Sequence, residues 1–197
     1  MRDSSILKMT LAAMFAALAL ICFSFFRIEI PLGGGLPAKI YVGSAFIMLS
    51  AFLLGSKYGG LTGAVGLTIG DLLAGYATSA PPTFAAKLIF GLACGLIAHR
   101  LLHISHARTK RAMYLRALLA GLSASLVNVL TEPAIRWAFK TYILGLPESV
   151  AWISAVNCAA AMAVNAIPSA VIAALLYGLA RTRILKEYSS LTVSHTN

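Results

Sequence analysis

The sequence predicts an all-α integral membrane protein: one domain over residues 1–197, six transmembrane helices, both termini in the cytoplasm. Three observations carry this. Of 197 residues, 59% are hydrophobic and only 11% charged, against about 25% charged in soluble domains. The mean hydropathy is +0.85. At roughly 20 residues per span plus turns, the chain has room for about six crossings. The third observation is the placement of the 16 Lys and Arg residues. The termini, the "SKYGG" turn and the 99–116 loop together hold eleven of them, and the opposite loops hold Arg27, Lys39, Arg136 and Lys140. That asymmetry is the positive-inside pattern and orients the chain.

The net charge of +10 therefore reads as topology, not as a nucleic-acid surface. Cys22, Cys94 and Cys158 all fall in apolar runs, with no Cys-x-x-Cys spacing; they read as small packed hydrophobes.

The first helix covers about residues 5–26. Its uncharged stretch from Met9 to Phe26 lacks a small-residue cleavage site and reads as a span rather than a removable leader. The Gly-rich "RIEIPLGGGLPAK" follows. The second helix spans about 40–55 and the third about 58–76. The fourth begins at Pro81 or Pro82, where proline suits a first turn, and runs to about His103. The fifth covers about 113–140. The sixth lies within 149–180 and contains Pro168, which predicts a kink. Glycines at three- and four-residue spacing on the third helix (Gly59, Gly60, Gly63, Gly66, Gly70) allow close helix contact in lipid.

Ionisable residues at membrane depth are costly and mark pairs or sites. At 1.5 Å per residue, Asp71, Lys87, Asn128, Glu132 and Asn157 come to one level in the outer half of the bilayer. Tyr41, Tyr76, Trp137 and Trp152 would stand above them as aromatic walls. Few polar groups under aromatic walls is the make-up of a small-molecule pocket. The candidate ligand-binding residues are Tyr41, Asp71, Tyr76, Lys87, Asn128, Glu132 and Asn157. Blander readings stand beside this: Asp71 and Lys87 as a structural ion pair, the tryptophans as an interface belt, Asn128 as an interhelical bridge. Glu132, beside Pro133, calls for either a ligand or Arg136.

No P-loop, His-Glu-x-x-His or Gly-x-Ser-x-Gly motif occurs, and no catalytic, metal or cofactor site is expected. His99, His103, His106 and His195 lie in cytoplasmic segments, away from the polar level. On the first helix, "LAAMFAALA" places Ala12 and Ala16 on one stripe with Ala13 and Ala17 beside it, a smooth face for another helix or for packing within the bundle.

Six spans, this alanine stripe, and "LGSKYGGLTGAVGLTIGDLLAGY…APPTFAAKLIFGL" together resemble the substrate-binding S components of energy-coupling factor (ECF) transporters, in the riboflavin and B-vitamin branch. The resemblance implies a plasma-membrane subunit, not an enzyme, that captures a vitamin or precursor from outside. Riboflavin-, pyridoxine- and hydroxymethylpyrimidine-like compounds all suit such a pocket. It implies docking through the first helix, by Ala12, Ala13, Ala16 and Ala17, onto a transmembrane T component driven by two cytoplasmic ATPase subunits. It carries over to Asp71, Tyr76 and Lys87 as site residues, and makes "IPLGGGLPAK" a lid. The other function classes are a membrane-embedded enzyme acting on a lipid-like substrate and a stand-alone permease.

Overall fold

A computed structural model describes the backbone of residues 2–30, 38–107 and 109–194, and the side chains of residues 5–28, 41–107 and 109–182. Six long helices dominate: α1 (Arg2–Phe25), α2 (Ser44–Leu54), α3 (Ser56–Leu73), α4 (Ala80–Leu96), α5 (Lys110–Ala138) and α6 (Glu148–Ser194). Four stretches are long and apolar enough to cross a membrane: Ser5–Phe25, Ala77–Leu101, Lys110–Ile143 and Glu148–Thr182. The other two helices fall short for separate reasons. α2 has only 11 residues, about 16 Å of rise, and five glycines dilute the hydropathy of α3.

One element departs from the all-helical expectation. Ile40, expected to open the second helix, instead ends β2 (Ala38–Ile40), paired antiparallel with β1 (Ile28–Ile30) in the register Ile28↔Ile40, Glu29↔Lys39 and Ile30↔Ala38. Alternating β-branched residues on either side of a Gly/Pro-rich connection favour a hairpin over a helix turn. The lid expected over this stretch has its centre, residues 31–37, outside the described residues.

The remaining boundaries follow local chemistry. Gly55 at φ 97° breaks α2 from α3, a left-handed backbone that glycine alone adopts without cost. Gly75 at φ 79° ends the third helix earlier than expected. Pro81 and Pro82 sit in the first turn of α4, where a missing N–H is not needed. The hydroxyl of Thr109 caps α5, accepting from the Ala112 N–H at 3.2 Å. Both α4 and α5 run on through a single wide π-turn, Ile97–Leu101 and Phe139–Ile143.

α2 is buried along most of its length, from Ser44 to Phe52, and α3 lies against α1, α2 and α4. Polar side chains tie these layers directly. Ser50 Oγ and Thr62 Oγ1 are 2.8 Å apart, and Thr62 donates to the Ala12 carbonyl at 3.2 Å. The outer surface is apolar: Leu61, Leu72, Leu126, Leu130, Ile167 and Leu175 are each more than 45% exposed. In water such a surface would drive association; in lipid it is the solvated face.

α3 and α4 touch backbone to backbone. A Cβ on Gly91 would lie 2.3 Å from the Gly59 carbonyl oxygen, and one on Gly95 2.3 Å from Ser56 Cα. Neither obstacle is a flexible side-chain end, so the helices must part to admit a methyl group. Gly91→Ala is expected to lower the thermal unfolding midpoint in detergent by the equivalent of about 1–3 kcal/mol. Gly75→Ala, where nothing lies within 4 Å but φ is positive, tests backbone strain alone and is expected to cost less than Gly91→Ala. An unaltered midpoint for Gly91→Ala would mean the helices are further apart than described.

Candidate binding site

Five helices and the turn before α4 converge on one buried polar cluster. Helical spacing sets its geometry: Thr83 and Lys87 lie one turn apart on α4, and Glu132 and Arg136 one turn apart on α5, so each pair shares a face. Lys87 Nζ stands 2.5 Å from Glu132 Oε2, and both side chains are 1% exposed. Arg136 reaches the other oxygen, Glu132 Oε1, through Nη2 at 2.9 Å and Nε at 3.1 Å. The Glu132 carboxylate is thus clamped from both sides. Arg136 Nη2 also donates to Thr83 Oγ1 at 2.8 Å, and Thr83 donates to Asp71 Oδ2 at 2.5 Å. The result is a continuous chain, Lys87–Glu132–Arg136–Thr83–Asp71, joining α3, α4 and α5. It sets two carboxylates against two cations, the arrangement buried charges require.

This chain lines a cavity of about 70 Å³. Phe23 and Tyr41 form its apolar wall, meeting edge to face with centroids 5.2 Å apart. Ser154, Asn157, Cys158 and Met162 of α6 form the far side, and Ser79 contributes from the turn before α4. The Tyr41 backbone N–H donates to Asn165 Oδ1 at 3.0 Å, which ties the start of α2 to α6. Lys140 Nζ lies 2.5 Å from Ser154 Oγ at the rim.

Of the expected site residues, Tyr41, Asp71, Lys87, Glu132 and Asn157 line the cavity together. Asn128 stands behind it, donating to Met162 Sδ at 3.3 Å; that sulfur is also 3.6 Å from Lys87 Nζ. Tyr76 is half-buried and outside the lining, with the Arg27 guanidinium 6.0 Å from its ring centroid. The question of Asp71 and Lys87 resolves in favour of other partners: the ammonium pairs with Glu132, and the Asp71 carboxylate joins the cluster through Thr83. Glu132 takes Arg136, one of the two partners expected for it, and Lys87 as well. The aromatic walls narrow to Tyr41 and Phe23. Trp137 packs edge-on against Tyr142 at 5.9 Å, and Trp152 is 62% exposed.

Sequence reading named Arg136 as a partner for Glu132 but not as part of the cavity wall, and it missed Thr83, Ser154 and Met162. Among the described residues no group of His, Cys, Asp and Glu has the arrangement to hold a metal ion. Chemically, the cluster offers hydrogen bonds and fixed charge; its central carboxylate, held by two cations, is neither a free base nor a free nucleophile.

The first-helix alanines split into two sets. Ala12 and Ala16 are buried, at 7% and 8% exposure. Thr62 bonds the Ala12 carbonyl, and a Cβ on Gly66 would lie 2.6 Å from the Ala16 carbonyl oxygen. That stripe is occupied by α3 and is not available to a partner. Ala13 and Ala17 are exposed.

Fold and site together define a multi-pass membrane protein built around a buried, charge-balanced polar pocket. The family model for ECF-type riboflavin transporter S components matches residues 3–182, and the chain belongs to that family. It is a transporter's substrate-binding component. No curated protein sequence matches it. A solved structure, of the S component of a bacterial ECF transporter, is similar at 15% identity with a TM-score of 0.49, covering 95% of this chain and 98% of that one.

Proposed function

We propose that this chain binds riboflavin or a close flavin analogue from outside the cell and delivers it through an importer. In that assembly it works with a transmembrane T component and two ATPase subunits. On this reading it crosses the plasma membrane six times with both termini inside, α2 and α3 being the two spans that length and hydropathy alone do not mark. The observation that carries the reading is the pairing, in one cavity, of an aromatic wall (Phe23, Tyr41) with a polar wall of both charges and several hydroxyls and amides. A flavin has the matching halves: a flat ring system with a hydrogen-bonding edge, and a chain of hydroxyls. The ring would lie against Phe23 and Tyr41, and Ser79, Thr83, Ser154 and Asn157 would meet the hydroxyls.

At about 70 Å³ the cavity is well below the roughly 300–1,000 Å³ of ordinary ligand sites, so the ligand enters by widening it. On this reading the loop after α5 shifts to admit it. α3 and α4, which carry Asp71, Thr83 and Lys87, are packed backbone to backbone and stay together.

The test is a riboflavin titration of the full chain, purified in mild detergent, followed by quenching of flavin fluorescence. Saturable one-to-one quenching, undisturbed by excess pyridoxine or hydroxymethylpyrimidine, is the expected result. Absence of quenching, with a different small molecule released from the purified protein in native mass spectrometry, would reassign the substrate. Turnover of a lipid-like compound by the chain alone would instead favour the enzyme reading.

A further inference from the structure

A second concavity lies far from the charged cluster, on the lipid face between α5 and α6. It has a volume of about 450 Å³ and is lined by Arg111, Tyr114, Leu115, Leu118, Val171, Ala174 and Leu175. Apart from Arg111 and the Tyr114 hydroxyl, that lining is wholly hydrocarbon. It exists because small residues face each other where the two helices meet. A Cβ on Gly121 would already lie 3.0 Å from Ala170 Cβ, and one turn on, Ala174 is again a small residue. Tyr114 closes one end by lying over Gly178, where a Cβ would come within 2.1 Å of its ring.

We propose that this groove binds an anionic phospholipid, one acyl chain lying in the groove and the phosphate on Arg111 and Lys110. Three features point to this occupant. Both walls belong to segments long and apolar enough to cross the membrane, and Leu115, Val171 and Leu175 are 53%, 40% and 52% exposed there. The groove therefore opens to lipid, and hydrocarbon is what reaches it. Among the described residues its charged end is cationic only: Lys110 and Arg111, at the start of α5, are both exposed. Among the described residues the Arg111 guanidinium makes no hydrogen bond or ion pair, whereas Arg116 donates to the His103 carbonyl and Arg181 to the Ile104 and Ser105 carbonyls. Finally, Arg111 precedes Leu115 by four residues, so guanidinium and acyl contact lie along one helix face about 6 Å apart. That is the order of headgroup and chain in a phospholipid. Basic pockets between spanning helices at the membrane edge bind anionic headgroups by this chemistry.

The test is native mass spectrometry of the full chain in mild detergent, with phosphatidylglycerol or phosphatidylcholine of identical acyl chains added at equal concentration. The wild type is expected to retain phosphatidylglycerol at several-fold higher occupancy. Arg111→Gln with Lys110→Gln should bring it down to the phosphatidylcholine level. Val171→Trp, placed on an exposed position and filling the groove, should remove the retained lipid of both kinds. All variants should keep the wild-type unfolding midpoint, since none of these side chains is buried. Equal occupancy of the two lipids in the wild type overturns the proposal, as does a phosphatidylglycerol preference that survives both variants. Loss of T-component assembly in Val171→Trp with no lipid preference in the wild type would assign the groove to a partner helix instead.

Discussion

Glu132→Ala is expected to destabilise the protein by about 3–5 kcal/mol, the range for removing one member of a buried ion pair. The figure belongs at the upper end because two cations lose their counter-ion at once. Lys87 is 1% exposed and Arg136 18%, so neither can recover full hydration. Lys87→Met should cost less: it leaves Glu132 still held by Arg136 through two contacts at 2.9 and 3.1 Å. The double variant Lys87→Met with Glu132→Met should be less damaging than the sum of the singles, with a coupling of about 1–3 kcal/mol. Removing both charges takes away the desolvation cost along with the attraction. Thermal unfolding of the four proteins in one detergent, followed by circular dichroism, reads all of this. If Glu132→Ala is no worse than Lys87→Met, the carboxylate is not the hub of the cluster. Ligand affinity gives a second readout: Glu132→Gln, which keeps shape and hydrogen-bonding capacity, should weaken flavin binding tenfold or more, about 1.4 kcal/mol. Its charge holds Lys87 and Arg136 in the positions that shape the cavity.

The level of the site was legible in the sequence, and its pairing was not. Asp71, Lys87 and Glu132 stand out because ionisable residues are rare in apolar runs, and counting 1.5 Å per residue brings them to one depth. Depth says nothing about rotation around each helix axis. Lys87 turns towards α5, so its partner is Glu132, 45 residues away, and not Asp71, the nearer acid in sequence. Arg136 was expected as a partner for Glu132 but not as a wall of the cavity, for a related reason. Counted as a loop cation it reads as topology; on α5, which runs to Ala138, it falls one turn above Glu132 on the same face. The Glu-x-x-x-Arg spacing is what makes the pair legible. The hairpin was hidden by its setting: Ile28 and Ile30 fall in a Gly-rich connection and Ile40 at the start of an apolar run, and only their period of two marks them as strands.

The alanines of α1 show the same ambiguity, and they yield the second large effect. Two Ala-x-x-x-Ala stripes, Ala12/Ala16 and Ala13/Ala17, lie side by side, rotated by one residue. Which one faces inward depends on Thr62 and Gly66, some fifty residues later. The structure gives the first stripe to α3, which leaves Ala13 and Ala17 as a shallow trough on an otherwise bulky face, where Met9, Met14 and Ile21 are 63%, 58% and 44% exposed. If the proposed T component docks on α1, it docks there, since small residues let two helices approach in lipid. Ala13→Trp with Ala17→Trp is therefore expected to abolish co-purification with the T component and ATPases, and with it vitamin uptake. Flavin affinity and the unfolding midpoint should stay at their wild-type values. Ala12→Trp with Ala16→Trp should do the reverse of a clean uncoupling. Two indoles forced between α1 and α3 cost at least about 1–3 kcal/mol each, so binding and stability fall before coupling can be measured. Each pair controls for the other: same helix, same substitution, one residue of rotation. Uptake that survives tryptophan at Ala13 and Ala17 would leave that trough facing lipid and move docking off α1. A well-folded, flavin-binding protein with tryptophan at Ala12 and Ala16 would mean α1 is rotated from the position described.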